Sequence, residues 1–338
     1  MNNLQLPTLE DVAKLAQVST ATVSRCLNTP DRVAKSTRGK VDAAVLELGY
    51  SPNFGAKALA SKRTNTYGAI IPTLDNAIFA RGLQAFQTAL TEHGATLLVS
   101  GSYYDPEVEE QQIRAMVARG ADGLMLIGKS RSDSIYRFLE KRDIPFVLAW
   151  NYDPSSEYHM VGFDNALASG ELTQKAIELG HRHFAFICAE RENNDRAADR
   201  ILGAQKVLAL AGLDPDAMPV IETPYSIDEA GNAFEKLMQA DNIPSVVMCG
   251  NDVQAVGALK RARELALKVP ADVSITGFDD LEIASAVDPG ITTIHVPHRQ
   301  MGRQSASILT SFSRDIPAAQ IKLNTSLIER GSLAPPKN

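Results

Sequence analysis

Small hydroxyl side chains and one guanidinium follow each other over residues 20–28, and both kinds of group suit contacts with nucleic acid. The fork of an arginine matches the two acceptors on the edge of guanine, so we expect Arg25 to read that base. A phosphate contact or a surface ion pair are the alternatives for Arg25. Thr20 offers a hydroxyl or a methyl, whereas Ala21 offers only apolar contact to a thymine methyl. Four more residues are candidates for phosphate contacts, which fix register without reading sequence: Thr22, Ser24, Asn28 and Thr37.

Two short helices joined by a tight turn are needed to present these side chains. Thr8 is placed to cap the first helix and Ser19 to cap the second. Val23 and Leu27 lie four residues apart, on the inner face of the second helix. The pattern predicts a helix-turn-helix whose second helix enters the major groove of DNA. An ordinary surface helical hairpin is the alternative.

A third amphipathic helix is predicted over residues 36–48 and ends at Gly49. With these motifs in place, the chain resembles the lactose/galactose repressor family of bacterial transcription regulators. The matching segments are Asp11-Val12-Ala13, Val18-Ser19, Thr22-Val23-Ser24-Arg25, Leu27-Asn28, Leu48-Gly49-Tyr50, Pro52-Asn53, Ala56-Lys57-Ala58-Leu59, Gly180-His181-Arg182, Arg200 with Gly203, Asn251-Asp252, Gly277-Phe278-Asp279-Asp280 and Met301-Gly302. The resemblance extends over essentially the whole chain, and its N-terminal motifs are the most specific.

The resemblance implies a fold class and a division of the chain. It implies an all-α helix-turn-helix headpiece, residues 1–52, followed by an α/β body like that of periplasmic binding proteins, with two doubly wound parallel-sheet lobes. The implied boundaries are 53–64 for a hinge helix and linker, 65–163 with 293–324 for the N-lobe, 164–292 for the C-lobe and 325–338 for a C-terminal tail.

The resemblance also assigns DNA contacts to the hinge segment. Such a short helix is marginal alone, so it is expected to fold when two copies pack in the minor groove. Leu59 would be inserted as a wedge between base steps. The alternative is that Leu59 is an ordinary residue of the linker. Asn53 and Lys57 would be further contacts, and Lys57 stands where the family usually has Arg, whose flat fork suits a narrow groove better.

The charge of the chain is unevenly distributed. The net charge of the 338 residues is −6, yet the first 63 residues contain nine Lys and Arg against five Asp and Glu. A basic end on an acidic body suits a polyanionic partner that is bound at one end only. This asymmetry supports double-stranded DNA as a partner because it coincides with the helix-turn-helix.

Several classes of protein are disfavoured by composition. The three cysteines, Cys26, Cys188 and Cys249, lack zinc-ligand spacing and are expected to be buried free thiols in a reducing cytoplasm. No signal peptide or membrane span is expected. His181 and His183 precede a predicted strand without a third ligand nearby, so we expect a structural role and no metal or other cofactor.

Short apolar runs alternate with amphipathic stretches from residue 67 onward, which predicts parallel sheets covered by helices. The rhythm occurs twice without a Gly-x-Gly-x-x-Gly motif, as expected for twin lobes rather than a dinucleotide fold. Strands are predicted at 68–72, 96–100, 123–128, 145–149, 183–188, 220–222, 245–249 and 273–277, and helices at 79–94, 108–119, 134–142, 166–179, 195–211, 227–239 and 252–265.

Polar residues that follow predicted strands are candidates for binding a small molecule, because ligands of open parallel sheets bind beyond the carboxyl ends of the strands. They are Asn76, Lys129, Asn151, Asn251 and Asp279. The resemblance implies effector-binding roles for Arg200, Asn251 and Asp279, with Phe79 and Phe163 as ring-face contacts. There are alternatives to these binding roles. Asp279 would cap one helix and Asn251 or Asp252 another, and Lys129 would be a solvated loop residue.

These features predict a DNA-binding transcriptional regulator and not an enzyme. We expect a homodimer that represses carbohydrate or sugar-acid utilisation genes from a pseudo-palindromic operator, under control of a sugar or sugar acid bound between the lobes. An activator of the same family and a transport-type sugar-binding protein are the alternatives. An enzyme is disfavoured because the chain has no phosphate loop or Gly-x-Ser-x-Gly elbow.

Overall fold

A computed structural model describes residues 6–51, 63–74 and 77–337 of the chain. The chain divides into two compact units, Met1–Thr64 and Asn65–Asn338.

The first unit consists of helices over the residues that the structure describes. They are α1 (Leu9–Ala16), α2 (Thr20–Asn28) and α3 (Lys35–Leu48), with a 3₁₀ turn at Pro30–Arg32. A small apolar core joins the three helices: Val12, Ala13, Ala16, Val23, Cys26, Val41 and Ala44 are buried. Leu27 is only partly buried against this core, whereas Val23 lies within it.

Side chains at the helix ends explain why α1 and α2 begin where they do. The Thr8 hydroxyl accepts a hydrogen bond from the Asp11 backbone N–H at 3.3 Å, and the Asp11 carboxylate accepts one from the Thr8 N–H at 2.8 Å. This reciprocal pair is a capping box. The Ser19 hydroxyl accepts a hydrogen bond from the Thr22 N–H at 3.1 Å. Both predicted caps are therefore confirmed, as is the end of α3 at Gly49, which has a φ of 62°.

The second unit alternates strands with helices. Its strands are β1 (Thr66–Ile71), β2 (Thr96–Gly101), β3 (Gly123–Ile127), β4 (Phe146–Ala149), β5 (His159–Gly162), β6 (Phe184–Cys188), β7 (Val220–Glu222), β8 (Val246–Cys249), β9 (Ser274–Thr276), β10 (Thr293–His295), β11 (Gln320–Lys322) and β12 (Ser326–Ile328). Its helices are α4 (Ala77–Glu92), α5 (Pro106–Ala118), α6 (Asp133–Lys141), α7 (Asn165–Glu178), α8 (Asp195–Leu210), α9 (Ile227–Met238), α10 (Asp252–Glu264), α11 (Glu282–Ala286) and α12 (His298–Thr310).

The strands of the described residues form two parallel sheets and one antiparallel pair. The strand order of the first sheet is β11-β5-β4-β3-β1-β2, and that of the second is β7-β6-β8-β9. Strand β10 pairs with β12 in an antiparallel ladder. Strand β11 pairs in parallel with β5, so a segment from late in the chain lies at the edge of the first sheet.

Six elements were not predicted from the sequence. Five are short, namely β5, β10, β11, β12 and α11, and the sixth is α12, which has 13 residues. Residues 325–338, expected to form a tail, contain β12 and the fully buried Ser332. The Ser332 hydroxyl donates to the Ile275 carbonyl at 2.5 Å. Over its described part this segment is thus packed into the body.

Two features of the described chain bear on protein class. No helix there is both long and apolar enough to cross a lipid bilayer. His181 is buried, and its ring nitrogens lie 2.9 Å from the Ser245 hydroxyl and 2.9 Å from the Ala334 carbonyl. His181 therefore ties the start of the second sheet to the last residues of the chain, which is a structural role.

A glycine permits the close approach of α7 and α8. A Cβ atom at Gly203 would lie 2.0 Å from the Ala166 carbonyl oxygen, which is a backbone atom and cannot move alone. Arg200 lies one turn earlier on α8, so this contact also sets the height of that side chain above the sheet.

We expect Gly203→Ala to lower the free energy of unfolding of the second unit by about 1–3 kcal/mol, because the two helices must separate. Gly39→Ala is the control, since a Cβ there meets no atom within 4 Å inside α3. That change should stabilise the first unit by about 0.5–1 kcal/mol. Urea unfolding of both variants measures the two effects, and an unchanged midpoint for Gly203→Ala would contradict the packing argument.

Candidate functional site

Helix α2 displays the side chains that were predicted to meet DNA. Thr20, Ala21, Arg25 and Asn28 are exposed, and Thr22 and Ser24 are half-buried. Within the described part of the chain, the structure gives the Arg25 guanidinium no hydrogen bond or ion pair. The exposed face of α2 thus offers a cation together with small polar and apolar groups.

The half-buried hydroxyls of the headpiece are oriented by their neighbours. The Thr22 and Ser19 hydroxyl oxygens are 2.9 Å apart, and the Asn28 amide donates to the Ser24 hydroxyl at 3.3 Å. Thr37, another predicted phosphate contact, is half-buried on α3. The remaining predicted contacts in this region, Asn53, Lys57 and Leu59, lie outside the described residues, as does the predicted ligand contact Asn76.

The second candidate site centres on Asp279, at the carboxyl end of the second sheet. Its side chain is buried, and its φ of 100° lies in the left-handed region that ordinary residues avoid. The Asp279 N–H donates to the Ile294 carbonyl at 2.9 Å. The Asp252 carboxylate accepts hydrogen bonds from the Leu281 N–H and the Thr293 hydroxyl, each at 2.6 Å. These bonds fix the strained loop and so aim the Asp279 carboxylate.

Arg200 reaches the same place from α8. Its Nη2 lies 3.8 Å from Asp279 Oδ1, and its guanidinium carbon lies 3.8 Å from the centre of the Phe278 ring. Arg200 also donates to the Asn165 side-chain oxygen at 2.9 Å and to the Gly250 carbonyl. The cation is therefore held by protein groups on several sides. Burial raises the pKa of Asp279 to about 6, although Arg200 acts in the opposite direction.

Asn251 combines a capping role with an unused amide. Its Oδ1 accepts a hydrogen bond from the Gln254 N–H at 2.9 Å, so Asn251 caps α10. Its buried Nδ2 has no hydrogen-bond partner among the described residues. The capping alternative is thus correct for Asn251, and the amide nitrogen remains able to donate. Asp279 does not cap α11, which lacks a side-chain cap.

Trp150 and His298 belong to this site but were not predicted. The Trp150 indole N–H donates to His298 Nδ1 at 3.1 Å, and His298 Nε2 lies 3.8 Å from Asp279 Oδ1. Burial lowers the pKa of His298 to about 3, and the positive charges of Arg81 and Arg200 act in the same direction. The imidazole is therefore neutral in the physiological pH range.

The two aromatic residues predicted to contact a ligand, Phe79 and Phe163, pack against other rings of the protein. The Phe163 ring is stacked on Phe278 with centroids 6.0 Å apart, and the Phe79 ring meets the edge of Trp150 at 5.5 Å. Both Phe79 and Phe163 are buried. Each of them packs against a ring that itself contacts a polar group of the site, since Phe278 meets Arg200 and Trp150 meets His298.

A cavity of about 330 Å³ is lined by residues that follow strands of both sheets, such as Pro72 after β1 and Thr223 after β7. Tyr104 and Tyr225 line it, with ring centroids 6.0 Å apart, together with Asn194, whose buried Nδ2 has no partner among the described residues. Burial raises the pKa of the Tyr104 phenol, and the charges that act on it include those of Arg200 and Asp279. The charges of Arg200 and Asp279 thus act on the lining of the cavity, although neither side chain is among the residues that line it.

Lys129 and Asn151 are engaged by protein carboxylates. The exposed Lys129 ammonium lies 2.7 Å from Asp153, and the Asn151 amide donates to Asp195 at 3.0 Å and to Asp199 at 3.3 Å. The structure thus brings Arg200, Asn251 and Asp279 together as predicted. It gives Lys129 and Asn151 other partners, because carboxylates from neighbouring segments already satisfy them.

Comparisons with known proteins identify the family of the chain. Residues 8–53 match the model for bacterial regulatory proteins of the lacI family, and residues 173–333 match that for a periplasmic binding protein-like domain. Catabolite control protein A of Priestia megaterium is 31% identical over 305 residues, which cover 90% of this chain and 92% of that protein. The chain belongs to the lacI family.

Solved structures of lacI-family regulators share the fold. The lac repressor dimer bound to operator and the anti-inducer ONPF has a TM-score of 0.85 and 26% identity, and the match covers 98% of this chain and 100% of that one. The CelR transcriptional regulator in complex with cellobiose has a TM-score of 0.69 and 27% identity, covering 96% and 99%. This lacI-family chain is accordingly a DNA-binding transcriptional regulator and not an enzyme, as predicted.

Proposed function

We propose that this chain is a repressor whose affinity for its operator is controlled by a small hydroxylated molecule bound in the cleft at Asp279. The observation that carries the proposal is a set of buried polar atoms that have no hydrogen-bond partner among the described residues: both carboxylate oxygens of Asp279, Asn251 Nδ2, Asn194 Nδ2 and His298 Nε2. Buried polar groups in proteins nearly always have hydrogen-bond partners, so such a set, with Asn194 lining a cavity, supports a bound ligand.

The DNA-binding half of the proposal depends on α2. Arg25 would read a guanine, Thr20 and Ala21 would contact neighbouring bases, and the hydroxyls of the same helix would bind phosphates. We propose a homodimer on a pseudo-palindromic operator, since the related lac repressor is a dimer on its operator. Asn53, Lys57 and Leu59, which lie outside the described residues, remain proposed DNA contacts of the hinge segment.

A carbohydrate is the effector class that fits best. Carboxylate and amide groups beside aromatic rings match the alternating donors, acceptors and apolar faces of a sugar. The related CelR regulator binds cellobiose. The genes controlled would then be those for the use of a sugar or a sugar acid.

Gel-shift titration of the full-length chain against a candidate pseudo-palindromic operator tests the proposal, with a panel of sugars and sugar acids added to the bound complex. We expect the chain to bind the operator more tightly than a scrambled duplex of equal length. We also expect one class of ligand to change the affinity for the operator. Binding without preference for the operator would contradict sequence-specific regulation. Operator binding that no carbohydrate alters would contradict the effector class, and increased transcription in vitro would identify an activator.

A further inference from the structure

The tautomer of His298 is set by its neighbour. An indole N–H only donates hydrogen bonds, so the contact at 3.1 Å requires a lone pair on His298 Nδ1. In the neutral ring the proton must then be on Nε2. This nitrogen is buried, lies 3.8 Å from Asp279 Oδ1 and makes no hydrogen bond of normal geometry among the described residues, although the Asp279 backbone lies close enough to act on the pKa of the ring in the upward direction. The chain therefore fixes one buried donor, His298 Nε2–H, opposite one buried acceptor, the Asp279 carboxylate.

The two groups are too far apart to bond to each other. The distance from His298 Nε2 to Asp279 Oδ1 is 3.8 Å, beyond the range of a hydrogen bond. An oxygen atom about 2.8 Å from each of them would complete two normal hydrogen bonds. Such an atom must accept from Nε2–H and donate to the carboxylate, and a hydroxyl group does both.

We propose that His298 and Asp279 together bind one hydroxyl group of an uncharged sugar or polyol, and that this pair makes the site select against sugar acids. This inference rests on the proposed function, because it concerns the ligand of the same cleft. A ligand carboxylate at this position has no proton to donate and repels Asp279. A ligand ammonium has no lone pair with which to accept from His298.

The cations around the cleft support an uncharged ligand. Arg200 is bound to Asn165 and the Gly250 carbonyl, Arg196 Nη1 lies 2.6 Å from Asp195, and Lys129 Nζ lies 2.7 Å from Asp153. Each of these three cations is thus already paired or hydrogen-bonded within the chain. A ligand carboxylate would have to displace one of these partners, whereas a hydroxyl needs no counter-ion.

Calorimetric titration of the full-length chain tests the proposal. The probes are neutral pentoses, hexoses and hexitols, the corresponding aldonic and uronic acids, and then the monodeoxy analogues of the tightest neutral binder. We expect the neutral compounds to bind more tightly than the acids, and one deoxy analogue to bind about 10- to 100-fold more weakly than its parent. The affinity of the His298→Phe variant for the parent compound should fall by a similar factor. The deoxy analogue that lacks the critical hydroxyl should bind to this variant no more weakly than the parent does.

Two further variants separate a ligand contact from simple packing. His298→Gln keeps a side-chain N–H donor and should recover part of the lost affinity. Trp150→Phe removes the N–H that fixes the tautomer, and nitrogen NMR of the histidine ring should then show a mixture in place of the single Nε2–H form. Melting curves establish that each variant is folded.

Different results overturn different conclusions. If the acids bind more tightly than the neutral compounds, the hydroxyl-binding pair is wrong but effector control is not. The same holds if His298→Phe weakens the binding of the parent and of every deoxy analogue by an equal factor. Full affinity of the parent in His298→Phe means that the pair holds only water and also overturns it. If no carbohydrate of either class binds, both this inference and the proposed effector class are wrong.

Discussion

Asp279→Asn should abolish the response of operator binding to the effector while leaving operator affinity nearly unchanged. The amide keeps the shape of the side chain but replaces one of two buried acceptor oxygens with a donor. Both groups that face it, Arg200 and His298 Nε2–H, are donors as well. Loss of charge-assisted hydrogen bonds to the ligand should weaken effector binding about 100-fold or more.

The pH dependence of effector binding provides a second readout of the same carboxylate. Burial raises the pKa of Asp279 to about 6, so the carboxyl becomes protonated as pH falls through that value. Protonation removes acceptor capacity and the negative charge, so effector affinity should decline below about pH 6 and be nearly constant above it. The Asn variant has no such titration and should show no step near pH 6.

Lys129→Ala is the control, since this exposed side chain contacts Asp153 and its loss should change effector affinity little. Titration of effector into the operator complex compares the three proteins, with a melting curve to show that each is folded. A variant at Asp279 that still responds at wild-type effector concentrations would show that the effector binds elsewhere.

Arg25→Ala should reduce the preference for the operator over random duplex by about 5- to 150-fold, the equivalent of one lost bidentate base contact worth about 1–3 kcal/mol. Nonspecific binding should fall much less, because it depends on the total positive charge that meets phosphates. Arg25 is exposed on α2 and its guanidinium has no hydrogen bond or ion pair within the described chain, so truncation of this side chain should not disturb the fold.

Lys14→Ala removes one charge from the last turn of α1, in the same unit, and should weaken operator and random duplex equally. Competition gel shifts at fixed salt measure both ratios. If Arg25→Ala also weakens both duplexes equally, then Arg25 contacts only phosphate and some other residue of α2 reads the operator.

The helices of the first unit were predictable because their signals are local. Thr8 and Ser19 cap helices whose first residues follow at once, and Gly49 ends the third helix. The Thr8 and Ser19 hydroxyls bond only to groups three residues away, so these caps depend on no distant partner. The polar groups at Asn251 and Asp279 were predictable for a related reason, since they follow strands whose carboxyl ends must meet at one edge of a parallel sheet.

The rest of the cleft could not be read from the sequence. Trp150 and His298 are 148 residues apart, and they meet only because α12 returns to the first sheet. His298 begins an unpredicted helix, and nothing near it in the sequence marks it as a donor. Lys129 and Asn151 also follow the carboxyl ends of strands, but their side chains are hydrogen-bonded to carboxylates of the protein. Competition between a ligand and a protein partner is a property of packing and leaves no pattern in the sequence.

The late return of the chain to both sheets sets the order in which the molecule can fold during synthesis. Strand β11 pairs with β5, and the Ile275 N–H donates to the Ser332 carbonyl. The first sheet lacks its edge strand until Lys322 has been made, and the second lacks its contact with Ser332 until ten residues later, whereas the apolar contacts of α1, α2 and α3 are all made within the first 50 residues. The headpiece can therefore fold before the body, and the nascent body carries open strand edges, the surfaces most prone to pair with other chains, until the segment from β11 to Ser332 has been made.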